Sequence, residues 1–207
     1  MRFRNHQTHY GWIAITLHWL MAPGIIGLFA LGWWMRKLSY YDPWYQQAPD
    51  IHKSIGILML FLLLFRLLWR VFNPTPQPLP TIPRWQSLAA RTTHGFIYLV
   101  LLSIMLSGYL ISTADGRAIE VFDWFSLPPT VQDIPNQEDI AGRVHEILAW
   151  SLMVLIAVHA LAALKHHFIN RDTTLYKMLG TTTSSPSSSN RAQKPTTLTS
   201  TRKETML

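Results

Sequence analysis

Charged side chains vanish from this chain for long stretches and then return in clusters. No Asp, Glu, Lys or Arg occurs from Asn5 to Met35, from Ser54 to Phe65, from Thr92 to Ala114, or from Ile147 to Leu164. A helix that crosses the hydrocarbon core of a bilayer, about 30 Å thick, needs about 20 mostly apolar residues, so the first, third and fourth blocks are long enough outright. The second reaches that length only as 52–72, with Arg66 and Arg70 near one end, where long Arg side chains extend toward water at modest cost. The pattern predicts transmembrane helices at about 11–35, 52–72, 88–112 and 143–168, and hence an all-α fold, an integral membrane four-helix bundle. A secretory signal is the alternative for the first block, since Arg2 and Arg4 supply a basic start. Its apolar run is too long for a signal core, however, and no A-x-A pattern follows it.

The connecting segments set the orientation. Arg2 and Arg4 precede the first helix, Arg66, Arg70, Arg84 and Arg91 surround the second loop without any acid, and Lys165, Arg171 and Lys177 follow the fourth helix. In the first loop Arg36, Lys37 and Lys53 are set against Asp42 and Asp50, and in the third Arg117 and Arg143 face seven carboxylates. By the positive-inside rule both termini and the second loop face the cytoplasm. Trp12, Trp69 and Trp85 fall at the expected inner boundary and Trp33, Trp34 and Trp124 near the outer one, where amphipathic rings prefer to sit. The formal charge of +7 is thus mostly a topology signal and calls for no nucleic-acid partner.

Two segments lie outside any core. PTPQPLPTIP, residues 74–83, holds five prolines and predicts a stiff extended connector. Residues 181–207 are rich in Ser and Thr and too poor in apolar groups to bury anything, so a disordered cytoplasmic tail is expected after a membrane domain of residues 1–180. The chain has no cysteine, which excludes disulfides, thiolate-bound metal clusters and the thioether attachment of c-type haem.

Nine histidines remain to be explained. His6, His9, His166 and His167 flank the spans and are expected to meet water or headgroups. His18, His52, His94, His145 and His159 lie within spans or at their mouths, where ionisable groups are costly and usually face the bundle interior. His145 and His159 are fourteen residues apart, nearly four whole turns, so they share one helix face at depths about 21 Å apart. Depth then pairs His18 with His159 near the inner side and His52 with His145 near the outer side. Imidazoles at two depths on facing helices suit two haems, each held from both sides of its iron. With both axial positions filled, such haems carry single electrons and leave no open site for oxygen. Each ligating ring needs its other N–H bonded, and a backbone carbonyl one turn away is the expected partner.

Arg66 is fourteen residues after His52 and shares its face at the inner depth, where a haem propionate would neutralise it; extension toward the inner surface is the alternative. His94, at the inner end of the third helix, could replace an inner ligand, bind a propionate or bond a quinone carbonyl, with ligation ranked last because His18 and His159 already match. Gly95 and Gly108 could admit a close approach, although such glycines are common in membrane helices.

The motifs TLHWL, DIHKSIG, RLLWRVFNPTP, RTTHGFIYLVL, RVHEILAW and AVHALAALKHHFINRDTTLYKML together resemble the bacterial cytochrome b561 family over residues 8–180. The resemblance implies a multi-pass protein of the bacterial inner membrane with two haems b, His18 and His159 on the cytoplasmic side and His52 and His145 on the periplasmic side. It also implies electron exchange with ubiquinone, and superoxide oxidation as a candidate activity. A site that collects superoxide should present positive charge, whereas the third loop is acidic. The function expected is therefore a di-haem b oxidoreductase between a donor, superoxide being one candidate, and ubiquinone. The alternative is a haem b anchor that relays electrons for a soluble periplasmic redox protein, with the acidic loop as docking surface. A histidine-based metal transporter fits less well, because transport sites gather ligands at one depth.

Overall fold

The computed structural model describes residues 3–79, 82–131 and 134–180. Its four long helices are α1 (Trp12–Met35), α2 (Gln47–Phe72), α3 (Arg84–Ser112) and α4 (Gln137–Phe168), each long and apolar enough to cross a membrane. An antiparallel hairpin, β1 (Ile119–Val121) and β2 (Phe125–Leu127), joins α3 to α4, and a short helix α5 (Thr174–Leu179) follows α4. The all-α expectation therefore needs one amendment, the hairpin.

The start of α1 agrees with expectation, but α2, α3 and α4 begin four to six residues earlier than the hydrophobic pattern placed them. That pattern marks where charge stops, and helices do not stop there. Asp50 in the first turn of α2, and Glu138 and Asp139 in that of α4, sit favourably against the positive end of the helix dipole. Pro49 falls in the first turn of α2, where no intrahelical N–H is needed, and Pro83 directly precedes α3.

Packing is tightest between α3 and α4 and between α1 and α2, with α2 against α3 closing the set. The central core is small: Met21 from α1, Met59 and Leu63 from α2, Leu101 from α3 and Leu152 from α4, with Ile25 packed against it. Many large apolar side chains point outward instead, among them Leu68 (57% exposed), Val154 (62%) and Leu161 (65%). A bundle this apolar on its outer face has its solvent in lipid.

Ser54 of α2 secures the hairpin. Its hydroxyl donates to the Glu120 carbonyl at 3.2 Å and accepts from the Phe122 amide at 3.3 Å, while Ile119 and Val121 bury against Ile57. The turn holds Phe122 and Asp123 at φ of 47° and 58°, a left-handed conformation that Asp tolerates and Phe resists. A pinned amide and two buried strand residues hold it there.

After α4 the chain folds back under the bundle. Asp172 receives a bond from the Thr174 amide at 2.9 Å and pairs with His166 at 2.6 Å. Trp19 of α1 donates to the Met178 carbonyl at 2.8 Å, and Lys177 donates to the Gln77 carbonyl at 3.1 Å. This strap puts the start of α1 and the end of α4 at one end of the bundle, hereafter the terminal end, opposite the hairpin end. Burial alone would raise the Asp172 carboxyl, but bonds from Thr174 and His166 outweigh it and hold the group below its ordinary range. Desolvation lowers Lys177. The tail expected over 181–207 lies outside the described residues.

Candidate functional site in two histidine tiers

At the hairpin end His52 of α2 faces His145 of α4, ring centres 6.3 Å apart and planes at 68°. His145 Nδ1 lies 2.9 Å from the Ile104 carbonyl of α3, with the Ser107 hydroxyl 3.1 Å away and itself donating to that carbonyl. A carbonyl can only accept, so Nδ1 carries the proton and Nε2 keeps its lone pair for a ligand. The partner expected one turn away on the same helix is thus on α3 instead, because α3 and α4 pack closest. Two glycines back the rings. A Cβ on Gly32 would meet His52 Cε1 at 3.1 Å, and one on Gly108 would meet His145 Cε1 at 3.2 Å.

At the terminal end His18 of α1 faces His159 of α4, again at 6.3 Å with planes at 74°. His94 of α3 joins them, its ring centre 5.1 Å from that of His159. Arg66 turns inward rather than toward the surface: one guanidinium nitrogen lies 3.3 Å from His18 Nδ1 and Nε donates to the Tyr98 hydroxyl at 3.0 Å. Arg70 also lies over the Tyr98 ring, 5.5 Å from its centre. Tyr10, just before α1, is raised from its ordinary value, first by burial, with Arg70 and Arg66 opposing. Sequence reasoning missed Tyr98, although it lies one helical turn from His94 and so on the same face.

The remaining histidines stand apart from both tiers. His6 and His9 stack on each other at 5.3 Å. His166 and His167 are half-buried, partly covered by the strap, His166 against Asp172 and His167 against Tyr176 at 5.1 Å.

A heptad rule underlies the tiers. Each helix carries a small, basic or histidine residue at both depths, fourteen residues apart: His18 and Gly32, His52 and Arg66, His94 and Gly108, His145 and His159. Midway between them fall Ile25, Met59, Leu101 and Leu152, the apolar layer that separates the tiers. Gly32 is legible in the sequence by the same spacing from His18.

The rings suit a shared metal between them. With metal–imidazole bonds of about 2.0–2.1 Å and roughly 1.1 Å from ring nitrogen to ring centre, two imidazoles on opposite sides of one ion have centres about 6.3 Å apart. Both pairs meet this, whereas the 5.1 Å between His94 and His159 is too short for it. His52 Nδ1 is buried without a hydrogen-bond partner among the described residues, an orphan that a site completed by a cofactor would explain.

Four of the five bases near the hairpin end are engaged one by one rather than gathered together, and Arg143 has no ion-pair partner among the described residues. Arg36 pairs with Glu146, Lys53 with Asp50 at 2.7 Å, and Arg117 with Asp115 at 2.6 Å, while Lys37 lies 3.3 Å over the Trp33 ring. The Arg117 guanidinium holds the Asp115 carboxyl below its usual range, and Asp115 raises Arg117 in turn.

An apolar helical bundle with half-buried facing imidazoles at two depths is the architecture of a membrane haem protein. Residues 9–181 match the family described as prokaryotic cytochrome b561, and the chain belongs to that family of haem b electron carriers. It is 53% identical over 184 residues to cytochrome b561 homolog 2 of Escherichia coli (strain K12), covering 89% of this chain and 98% of that one. It is also 30% identical over 178 residues to the probable superoxide oxidase CybB of Yersinia pestis, covering 82% and 95%. Cytochrome b562 of Cereibacter sphaeroides is 26% identical over 181 residues, covering 84% and 98%.

Proposed function

We propose that the protein is a di-haem b oxidoreductase that passes single electrons from a donor at the hairpin end, on the periplasmic side of the bacterial inner membrane, to ubiquinone, with both termini cytoplasmic. The observation that carries this reading is the equal 6.3 Å spacing of the two histidine pairs at two depths. His52 and His145 hold the periplasmic-side haem, and His18 and His159 the cytoplasmic-side one. When bound, haem b supplies reversible one-electron storage at each depth.

The chain's own residues do the rest. Ile104 fixes the tautomer of His145, and Gly32 and Gly108 leave the space its tier requires. Arg66 and Arg70 set positive charge at the terminal tier, where haem propionates need neutralising, and Tyr98 holds those guanidinium groups in place. Met59, Leu101 and Leu152 exclude water between the tiers. His94, beside His159 but not opposite it, is placed to bond a propionate or a quinone carbonyl. Superoxide is the candidate donor that the relative from Yersinia pestis suggests.

A visible spectrum of the purified protein, oxidised and then reduced with dithionite, tests the reading with haem measured per chain. Two b-type haems with separable midpoint potentials are expected. Colourless protein, or one haem per chain, refutes it.

A further inference from the structure

The carboxylates of the hairpin end have work left to do. Among the described residues Glu120, Asp123, Glu138 and Asp139 have no ion-pair partner, while Arg36, Lys53 and Arg117 are each neutralised by a carboxylate and Arg143 alone cannot offset the four free acids. A cavity of about 290 Å³ opens at the start of α4, lined by Asp115, Asn136, Gln137, Glu138 and Asp139 with Ala114 and Ile134. The helix dipole accounts for Glu138 and Asp139 alone, but not for Gln137. That side chain lines the cavity at 6% exposure; its Nε2 donates to the Leu110 carbonyl at 2.9 Å, and its buried Oε1 has no hydrogen-bond partner among the described residues. A buried acceptor left open among carboxylates is costly unless a donor, and preferably a cationic one, comes to it.

Resting on the electron-transfer reading above, we infer that the hairpin end is the docking surface for a basic, water-soluble redox protein, which seats a Lys or Arg side chain against Gln137, Glu138 and Asp139. Gln137 lies eight residues before His145 on α4, about 12 Å along the axis, so the docked protein sits directly above the hairpin-side tier. In each encounter one electron leaves the partner's reduced centre and enters that tier; no bond forms or breaks and no proton is required. Unpaired carboxylates steer a cationic protein toward the site and repel a small anion, and both effects fade as salt screens them.

The sign of the charge effect provides the test. The haem-loaded full-length chain in lipid nanodiscs is titrated with reduced cytochrome c, a strongly basic soluble haem protein, as probe, and binding and stopped-flow electron entry are measured at low and high salt. Glu138→Gln with Asp139→Asn is expected to weaken binding and slow electron entry about threefold or more at low salt, with the difference vanishing at high salt. Gln137→Leu, which keeps every charge, is expected to weaken binding while preserving the salt dependence. With enzymatically generated superoxide the double variant is expected to react at least as fast as the parent. Unchanged cytochrome c binding in the double variant, or slower reaction of that variant with superoxide, overturns the proposal. So does calcium binding to the parent that the double variant abolishes, which would assign the cavity to a cation. Haem content and reduction by dithionite in the same samples report on the electron-transfer reading separately, so its failure is distinguishable from a failure of docking.

Discussion

Gly108→Ala adds a single methyl group where the structure leaves no room for one. The new Cβ would lie 3.2 Å from His145 Cε1 and 3.4 Å from Nδ1. Carbon atoms prefer about 3.5–4.0 Å, so the ring must retreat by roughly 0.3–0.8 Å. It is not free to do so, because Nδ1 is held at 2.9 Å by the Ile104 carbonyl with Ser107 beside it. Overpacking of this kind costs about 1–3 kcal/mol. In the haem-free chain His145 need give up only its Ile104 bond to relieve the clash, whereas a ring that also holds a ligand is tethered on both sides, so most of the cost falls on the liganded state and lowers haem affinity at that tier by about fivefold to somewhat over a hundredfold. Ala favours the helix itself by about 1 kcal/mol, so loss of fold is not the expected route. Haem per chain by pyridine haemochrome, together with a potentiometric titration, should show depletion or a shifted potential of one haem and an unaltered second. Gly95→Ala in the same helix is the control, since a Cβ there meets nothing within 4 Å. If Gly108→Ala retained both haems at parental potentials, the assignment of His145 as a ligand packed against Gly108 would be wrong.

Other outcomes follow from the same geometry. His145→Leu should lose the hairpin-side haem and leave about half the haem per protein, with the terminal-side signal intact; full retention would exclude His145 as a ligand. His94→Ala should keep both haems, since its ring is too close to His159 to stand opposite it, while slowing quinone reduction; loss of the terminal-side haem would make His94 a ligand. Asp172 has a depressed folded pKa, so its stabilisation of the strap is present above the ordinary carboxylate range and is lost as pH falls through the folded value. Protection of the 172–178 amides against hydrogen exchange, corrected for intrinsic rates, should therefore hold steady from about pH 8 to about pH 5. Asp172→Asn should lower it about fivefold at neutral pH, and equal protection in the variant would remove the carboxylate from the strap's support.

Depth along each helix was legible from the sequence alone, because charge-free runs mark the apolar slab and a constant rise per residue converts spacing into height. Four spans, and His18 level with His159 and His52 level with His145, came from that arithmetic. Rotation about the helix axes and the choice of neighbour are not contained in it. Only the packing of α3 on α4 brings the Ile104 carbonyl to His145, and only the assembled terminal tier brings Arg66 beside His18 and Tyr98. The early starts of α2, α3 and α4 were missed because helices run on into water past the point where lipid ends. The hairpin escaped notice for a different reason: its turn conformation is held by Ser54, 68 residues away in sequence from Phe122. Local pattern determined how deep each side chain lies, since a helix's height depends on its own residues; tertiary structure decided what each one touches, since that depends on contacts between helices far apart in the chain.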